Sequence, residues 1–477
     1  MAKVHRSPHR VRHVIGLTLM ILFLGAGAEL LAAQDGLAGR WTGRIDVAGT
    51  TIPMDVVFAV RGDSVSATID IQGATGLSLQ QVRYDPPTLH FELPAGAGLA
   101  TFDGTHAGDS ISGEFKQSGL TGTFVLAPPA AGGGGATATD SLPYRIEDLT
   151  FQNDSVTLAG TLTIPEGRAP VPAVVLVSGS GPQDRDETLF GFKPFLILAD
   201  HLTRNGIAVL RYDDRGVGGS GGNILDATSA DFAGDALAGV RLLAGRADVD
   251  ATRVGIVGHS EGGIVAPIAA NRSDQVAFIV TLAGTALSGA DILLEQGRLI
   301  ALAEGAADTA LAKQREMQEQ LFGAIRTGEG WETVRQAAEE QIRSALEQLP
   351  AEQRNAIADP ETYIAAQVQG QMQYLQSNWF AFFLDHDPAT TLAQVSVPVL
   401  AIYGGKDLQV PADLNRQALE GAMRGKDLTV RIFPNANHLF QPAGSGSPSE
   451  YAQLEKRFVD DLLPTVTEWI LARRGRR

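Results

Sequence analysis

Residues 254–263 read VGIVGHSEGG, an apolar run of Val and Ile that halts at Gly258 and sets Ser260 between two glycines. A serine hydroxyl is a weak nucleophile, so it must be presented to a substrate while touching a base. A sharp strand-to-helix turn achieves this. It also brings strand and helix so close that the positions two before and two after the serine have room only for glycine. Gly258 and Gly262 fill those positions, and Gly263 adds space. The pentapeptide alone is a weak signal. Here the apolar strand before it and the helix-like GGIVAPIAANR (262–272) after it supply the context such a turn needs.

The pattern around this stretch repeats. Continuous apolar runs at 171–179, 207–213, 253–260, 276–284, 397–405 and 428–434 predict buried parallel strands. Helix-like stretches at 194–206, 230–246, 262–272 and 411–423 alternate with them, and 149–165 reads as a hairpin. The alternation predicts a doubly wound, mostly parallel α/β sheet over 143–477. Residues 288–388 interrupt it with amphipathic helix pattern rich in Ala, Gln, Glu and Leu. An insertion of that length between core strands predicts a helical cap over a site, the alternative being a structural flap.

Residues 36–127 differ in kind. Short runs such as TIPMDVVFAV, TLHFELP and LTGTFVLAP carry β-branched and aromatic residues between Gly, Asp and Pro, which predicts a small all-β barrel or sandwich. A Pro/Gly/Ala/Thr tract (128–142) then reads as a linker. At the N-terminus, Lys3, Arg6, Arg10 and Arg12 precede the apolar run 14–24 and a stretch rich in small residues. That layout predicts an export signal over 1–33, cleaved after Ala28 or Ala33, and a periplasmic or extracellular protein. The run is shorter than the ~20 residues of a spanning helix.

The formal charge is −16, which becomes about −19 without the signal and disfavours nucleic acid or anionic membrane as partners. With no cysteine there is no disulfide framework, thiol nucleophile or cysteine-ligated zinc. No spacing of ligand residues predicts a metal, and GVGGSGG (216–222) lacks the Lys-Ser/Thr ending of a phosphate loop. No cofactor is expected.

A base for Ser260 is expected in a loop after the last core strand. Of the nine histidines, only His438, in FPNANHLF, has that address. The orienting acid is expected after the preceding strand, where Asp407 stands in YGGKDLQVP; Asp413, Asp385 and Asp387 are lesser candidates. The order Ser260, Asp407, His438 is that of α/β-hydrolases. An oxyanion hole needs two backbone donors. Glu261 N–H is one by the geometry of the turn, and the second is expected from the SGSGP loop, from Ser180 or else Gly181. Asp214 and Arg215 are expected to stabilise a nearby turn through an ion pair. The same is expected of Asp184, Arg185 and Asp186, with Arg185 also available to an anionic substrate group.

Together VSGSGPQDRDE (177–187), RYDDRGVGGS (211–220), GHSEGG (258–263) and the Asp407 and His438 loops resemble bacterial exported α/β-hydrolases of the dienelactone-hydrolase, serine-aminopeptidase and prolyl-oligopeptidase-like group. The resemblance spans roughly 145–475, and the β domain is loosely similar to lipocalin-like or sandwich modules. It departs from lipases in having SGSG where a His-Gly-Gly-Gly loop would stand. The implied activity is hydrolysis of small-molecule carboxylic esters through an acyl-enzyme on Ser260. The alternatives are cleavage of short peptides by a serine peptidase or aminopeptidase, and a non-catalytic binding protein in which the β module acts.

Overall fold

The computed structural model describes residues 37–128 and 142–475, apart from 48–49, 62–63, 72–73, 96–97, 118–119, 168, 349–353, 355–356, 358 and 474. The segment read as an export signal, and 129–141 of the one read as a linker, lie outside the described residues.

Nine strands form the first domain: β1 (Gly39–Val47), β2 (Thr50–Arg61), β3 (Ser64–Ile71), β4 (Ala74–Ser78), β5 (Gln80–Asp85), β6 (Thr88–Ala95), β7 (Gly98–Ala107), β8 (Ser110–Gln117) and β9 (Leu120–Ala127). All pair antiparallel, in the order β4-β3-β2-β1-β9-β8-β7-β6-β5. The two edge strands are consecutive in the chain, and β3 lies against β5, so the sheet curls into a nearly closed barrel. Period-two alternation turns Phe58, Phe91, Phe102 and Phe124 inward, where they are fully buried. Phe91 stacks on Phe102 with ring centroids 4.5 Å apart. Of the two architectures left open by the pattern, the barrel is the one adopted. Its strands β4, β5 and β7 are hard to read from sequence, because ATGLS, QQVRYD and GLATFDGTHA mix glycine and polar residues into the alternation.

The second domain opens with the hairpin β10 (Tyr144–Asn153) and β11 (Val156–Pro165). These join β12 (Val171–Val177), β13 (Ala208–Tyr212), β14 (Val249–His259), β15 (Phe278–Leu282), β16 (Val399–Gly404) and β17 (Leu428–Phe433) in the order β10-β11-β13-β12-β14-β15-β16-β17. From β13 to β17 every pairing is parallel, and β12, β13, β15 and β16 are buried throughout. Such strands cannot be amphipathic, which is why they read as unbroken apolar runs. Helices α1 (Pro194–Arg204), α2 (Ser229–Ala244), α3 (Gly262–Arg272), α10 (Ala412–Ala422) and α11 (Leu462–Leu471) cover the sheet. Register aligns the strand ends: Val177 pairs with Gly258, His259 with Leu282, Leu282 with Ile402, and Gly404 with Phe433. The loops after β12, β14, β16 and β17 therefore leave one edge of the sheet together, where open α/β sheets bind ligands.

Between β15 and β16 the chain runs through α4 (Gly289–Ala303), α5 (Asp308–Thr327), α6 (Trp331–Gln348), α7 (Pro360–Leu375), α8 (Asn378–Asp385) and α9 (Pro388–Gln394). Helices α4 and α8 touch closely: a Cβ on Gly289 would lie 2.0 Å from the Phe383 carbonyl oxygen. A separate apolar cluster of Leu346, Ile357, Ile364 and Val368 receives Leu120 from β9, and Leu120 forms a β-bridge with Ile357. The barrel thus rests against the helical insertion. No described helix is long and apolar enough to cross a membrane.

Candidate active site

The turn at Ser260 is as tight as its glycines imply. Ser260 has φ 51°, a left-handed conformation that costs a non-glycine residue energy and recurs at functional sites. A Cβ on Gly258 would sit 2.0 Å from the Gly262 carbonyl oxygen, and one on Gly262 would sit 2.3 Å from that of Val177. The Ser260 N–H donates to Leu282 O at 2.8 Å, pinning the turn to the neighbouring strand.

His438 Nδ1 lies 2.8 Å from Asp407 Oδ2, and both side chains are buried. The other Asp407 oxygen accepts the backbone N–H groups of Gln409 and Val410, each at 2.8 Å. The carboxylate is thus fixed from both sides and turns the imidazole so that Nε2 is left for proton exchange. Ser260 and His438 line one cavity of about 360 Å³. The other aspartates considered as the acid lie elsewhere: Asp385 pairs with Arg326, Asp387 caps α9, and Asp413 sits exposed on the first turn of α10.

Of the two residues considered for the second oxyanion donor, Ser180 lines the cavity with Ser260 and Glu261. Gly181, at φ 94°, turns away and lines a small void behind the loop. In the neighbouring charged motifs Arg215, Arg185 and Asp186 form ion pairs as expected, and Asp214 does not. Arg215 pairs with Asp235 at 2.7 Å, not with Asp214. Asp214 instead accepts from Ser178 Oγ at 2.8 Å and from the Gln183 N–H at 3.0 Å. Arg185 is taken by Asp213 at 2.6 Å and Arg211 by Asp186, so Arg185 is committed within the fold.

Two buried carboxylates flank the serine in ways the sequence did not reveal. Glu261 Oε1 accepts from Ser229 Oγ at 2.6 Å and from the Trp379 indole N–H at 2.8 Å. Burial pushes its pKa up, and hydrogen bonds from Ser229, Trp379 and Ser180 offset part of that rise. Glu187 Oε1 accepts the Gly179 N–H and meets His259 Nδ1, both at 2.7 Å. His259 Nε2 in turn lies 3.1 Å from the His438 carbonyl oxygen. Burial alone would lower the His259 pKa, but the Glu187 charge and hydrogen bond, the His438 carbonyl and Asp407 outweigh it, and the net shift is upward. The one available signal was their place inside the two quoted motifs.

The insertion supplies the far wall through Tyr374, Trp379, Phe380 and Phe383, with Trp379 stacked on Phe383 at 5.4 Å. Phe190 and Tyr451 meet edge-on at 6.3 Å on the opposite side. Among the described residues, no lysine or arginine lines the cavity. Among the described residues, no group of His, Asp and Glu is arranged to hold a metal ion.

Comparison with known proteins finds this chain similar to hydrolases. The family model described as serine aminopeptidase, S33, matches residues 193–441, just over half the chain. Esterase EstD of Thermotoga maritima is 28% identical over 335 residues, covering 69% of this chain and 70% of its own. Among solved structures, a Pyrococcus furiosus esterase is 15% identical, covers 61% of this chain and 82% of its own, and has a TM-score of 0.39. A dienelactone hydrolase from Anabaena variabilis is 17% identical, covers 69% of this chain and 98% of its own, and has a TM-score of 0.36.

Proposed function

This chain belongs to the serine aminopeptidase (S33) family of serine hydrolases, and on that premise we propose that it cleaves uncharged carboxylic esters through an acyl-enzyme on Ser260. The observation that carries the reading is one constellation: Ser260 in a left-handed turn shares a cavity with His438, which Asp407 holds at 2.8 Å. His438 Nε2 takes the Ser260 proton as Oγ attacks the acyl carbon. Collapse of the tetrahedral anion breaks the C–O bond, and the leaving alcohol takes the proton from His438. Water then repeats the cycle and frees the acid.

An ester is favoured over an N-terminal amino acid because an aminopeptidase must offer a carboxylate to the substrate's α-amine. Of the two glutamates lining the cavity, Glu261 is held by Ser229 and Trp379, and Glu187 is paired with His259 through Oε1 while its Oε2 is buried without a hydrogen-bond partner. The aromatic walls, and the absence of lysine and arginine among the described lining residues, favour a neutral, apolar substrate. The basic and apolar start of the chain supports reading the enzyme as exported, which fractionation of a host expressing the full chain tests.

The decisive assay compares short-chain methyl esters with aminoacyl-anilides on the wild type and on Ser260→Ala. The ester reading predicts turnover of the esters only, abolished by the substitution. Faster anilide turnover assigns a peptidase instead, and full activity in Ser260→Ala removes the serine mechanism altogether.

A further inference from the structure

The loop after β12 carries the second oxyanion donor, and nothing in its own sequence fixes where that donor points. Its backbone N–H groups from 179 to 183 can be accounted for one by one. Gly179 N–H goes to Glu187 Oε1 at 2.7 Å, and Gln183 N–H goes to Asp214 Oδ2 at 3.0 Å. Pro182 has none. Ser180 and Gly181 remain, and of these Ser180 lines the cavity beside Ser260. The loop is thus held at both ends while its middle stays free to bind a substrate oxygen.

Resting on the acyl-transfer reading above, we propose that Asp214 is a positioning residue for the oxyanion hole, clamping the loop 178–183 so that the Ser180 N–H converges with that of Glu261. One Asp214 oxygen takes the Ser178 hydroxyl where the loop begins, and the other takes the Gln183 N–H where it ends. The Asp214 N–H also donates to Gln183 O at 3.1 Å, so the loop's exit is bound twice by one residue. Glu187 supports the side nearest the nucleophile: a Cβ on Gly179 would lie 3.2 Å from both Glu187 Oε1 and the Ser260 Cβ. A shift of the loop there would therefore be felt at the reacting hydroxyl.

Geometry of this kind matters because a donor contributes only when it points at the anion's position, not the ground-state carbonyl's. Burial raises the Asp214 pKa well above its ordinary value, the bonds from Ser178 and Gln183 opposing this and the charges of Glu261 and Glu187 adding to it. Asparagine at this position keeps the shape of the side chain, its oxygen accepting from Gln183 N–H while its amide donates to Ser178 Oγ.

The test uses the full chain and a trifluoromethyl ketone analogue of the best ester. Ser260 Oγ adds to the ketone carbon, the proton passes to His438, and the ketone oxygen becomes the anion the hole must hold. Asp214→Leu is expected to lower kcat about 10²-fold, the cost of one misplaced donor, with KM changed less than about threefold. The inhibitor's affinity is expected to weaken by the same factor, and Asp214→Asn to recover most of the loss. Should Asp214→Leu not fold, Ser178→Ala removes the clamp at the loop's start alone, with a loss of about tenfold in kcat and in inhibitor affinity expected. Unchanged kcat and inhibitor affinity, in variants whose turnover still requires Ser260, overturn the clamp and leave the serine mechanism standing. So does a loss in Asp214→Leu that merely follows the folded fraction, with inhibitor affinity unaltered. Activity that persists in Ser260→Ala overturns the mechanism itself.

Discussion

The indole N–H of Trp379 donates to Glu261 Oε1 at 2.8 Å, joining the helical insertion to the residue that follows Ser260. Glu261 thus serves twice, its backbone facing the site and its carboxylate anchoring the aromatic wall. Ser229 at the start of α2 holds the same oxygen, so the Ser260 turn, sheet-covering helix and insertion meet at one buried atom.

Trp379→Phe keeps the ring but removes the donor. A hydrogen bond to a carboxylate contributes about 1.5–3 kcal/mol, so a stability loss in that range is expected. Thermal or denaturant unfolding reads it directly. The kinetics should shift as well, with KM for esters rising because the wall no longer has a fixed position.

Asp407→Asn tests the orienting acid. The amide preserves shape but sets the wrong imidazole tautomer, and a loss in kcat of about 10⁴-fold is expected. Stopped-flow or initial-rate kinetics with a short-chain ester measures it. A loss under tenfold would move the acid's role to another carboxylate.

Gly262→Ala probes the turn. The new methyl would lie 2.3 Å from the Val177 carbonyl oxygen, a backbone atom that cannot step aside. A cost of about 3 kcal/mol or more is expected, visible as a lowered Tm and loss of labelling by a fluorophosphonate. Gly421→Ala, on an exposed part of α10 with open space around it, provides the control and should leave labelling unchanged without lowering Tm.

The pH dependence of stability follows from His259. Its folded-state pKa is raised above the ordinary 6.5, so the folded chain holds the proton more tightly than the unfolded one. The stabilisation is full below about 6.5 and is lost as pH rises through the folded value. The Tm difference between the wild type and His259→Gln should therefore be largest in mildly acidic buffer and shrink toward alkaline pH. A difference that grows with pH would contradict the Glu187–His259 pairing as its source.

Much of this protein was legible in its sequence because the governing constraints are local. A strand buried on both faces must be apolar at every position, so VPAVVLV and VLAIYG announce a parallel sheet. A strand-to-helix turn with crossing backbones admits only glycine beside its serine, so Gly258 and Gly262 announce the elbow. The order of loops after the strands then singles out Asp407 and His438, which the structure holds 2.8 Å apart. The small barrel was legible as β but not as a closed sheet, since closure depends on how β3 and β5 come together across the domain.

Partner choice among charged side chains was decided only by the tertiary structure. Trp379 lies 118 residues from Glu261, and Glu187 lies 72 from His259, so no spacing rule links either pair. Asp214 and Arg215 are neighbours in sequence, yet the turn sends one to the loop after β12 and the other to Asp235. The reason is physical: a buried carboxylate must find donors wherever the fold brings them within about 3 Å. The sequence alone determined where the tight turn at Ser260 would stand; only packing decided what holds its surroundings in place.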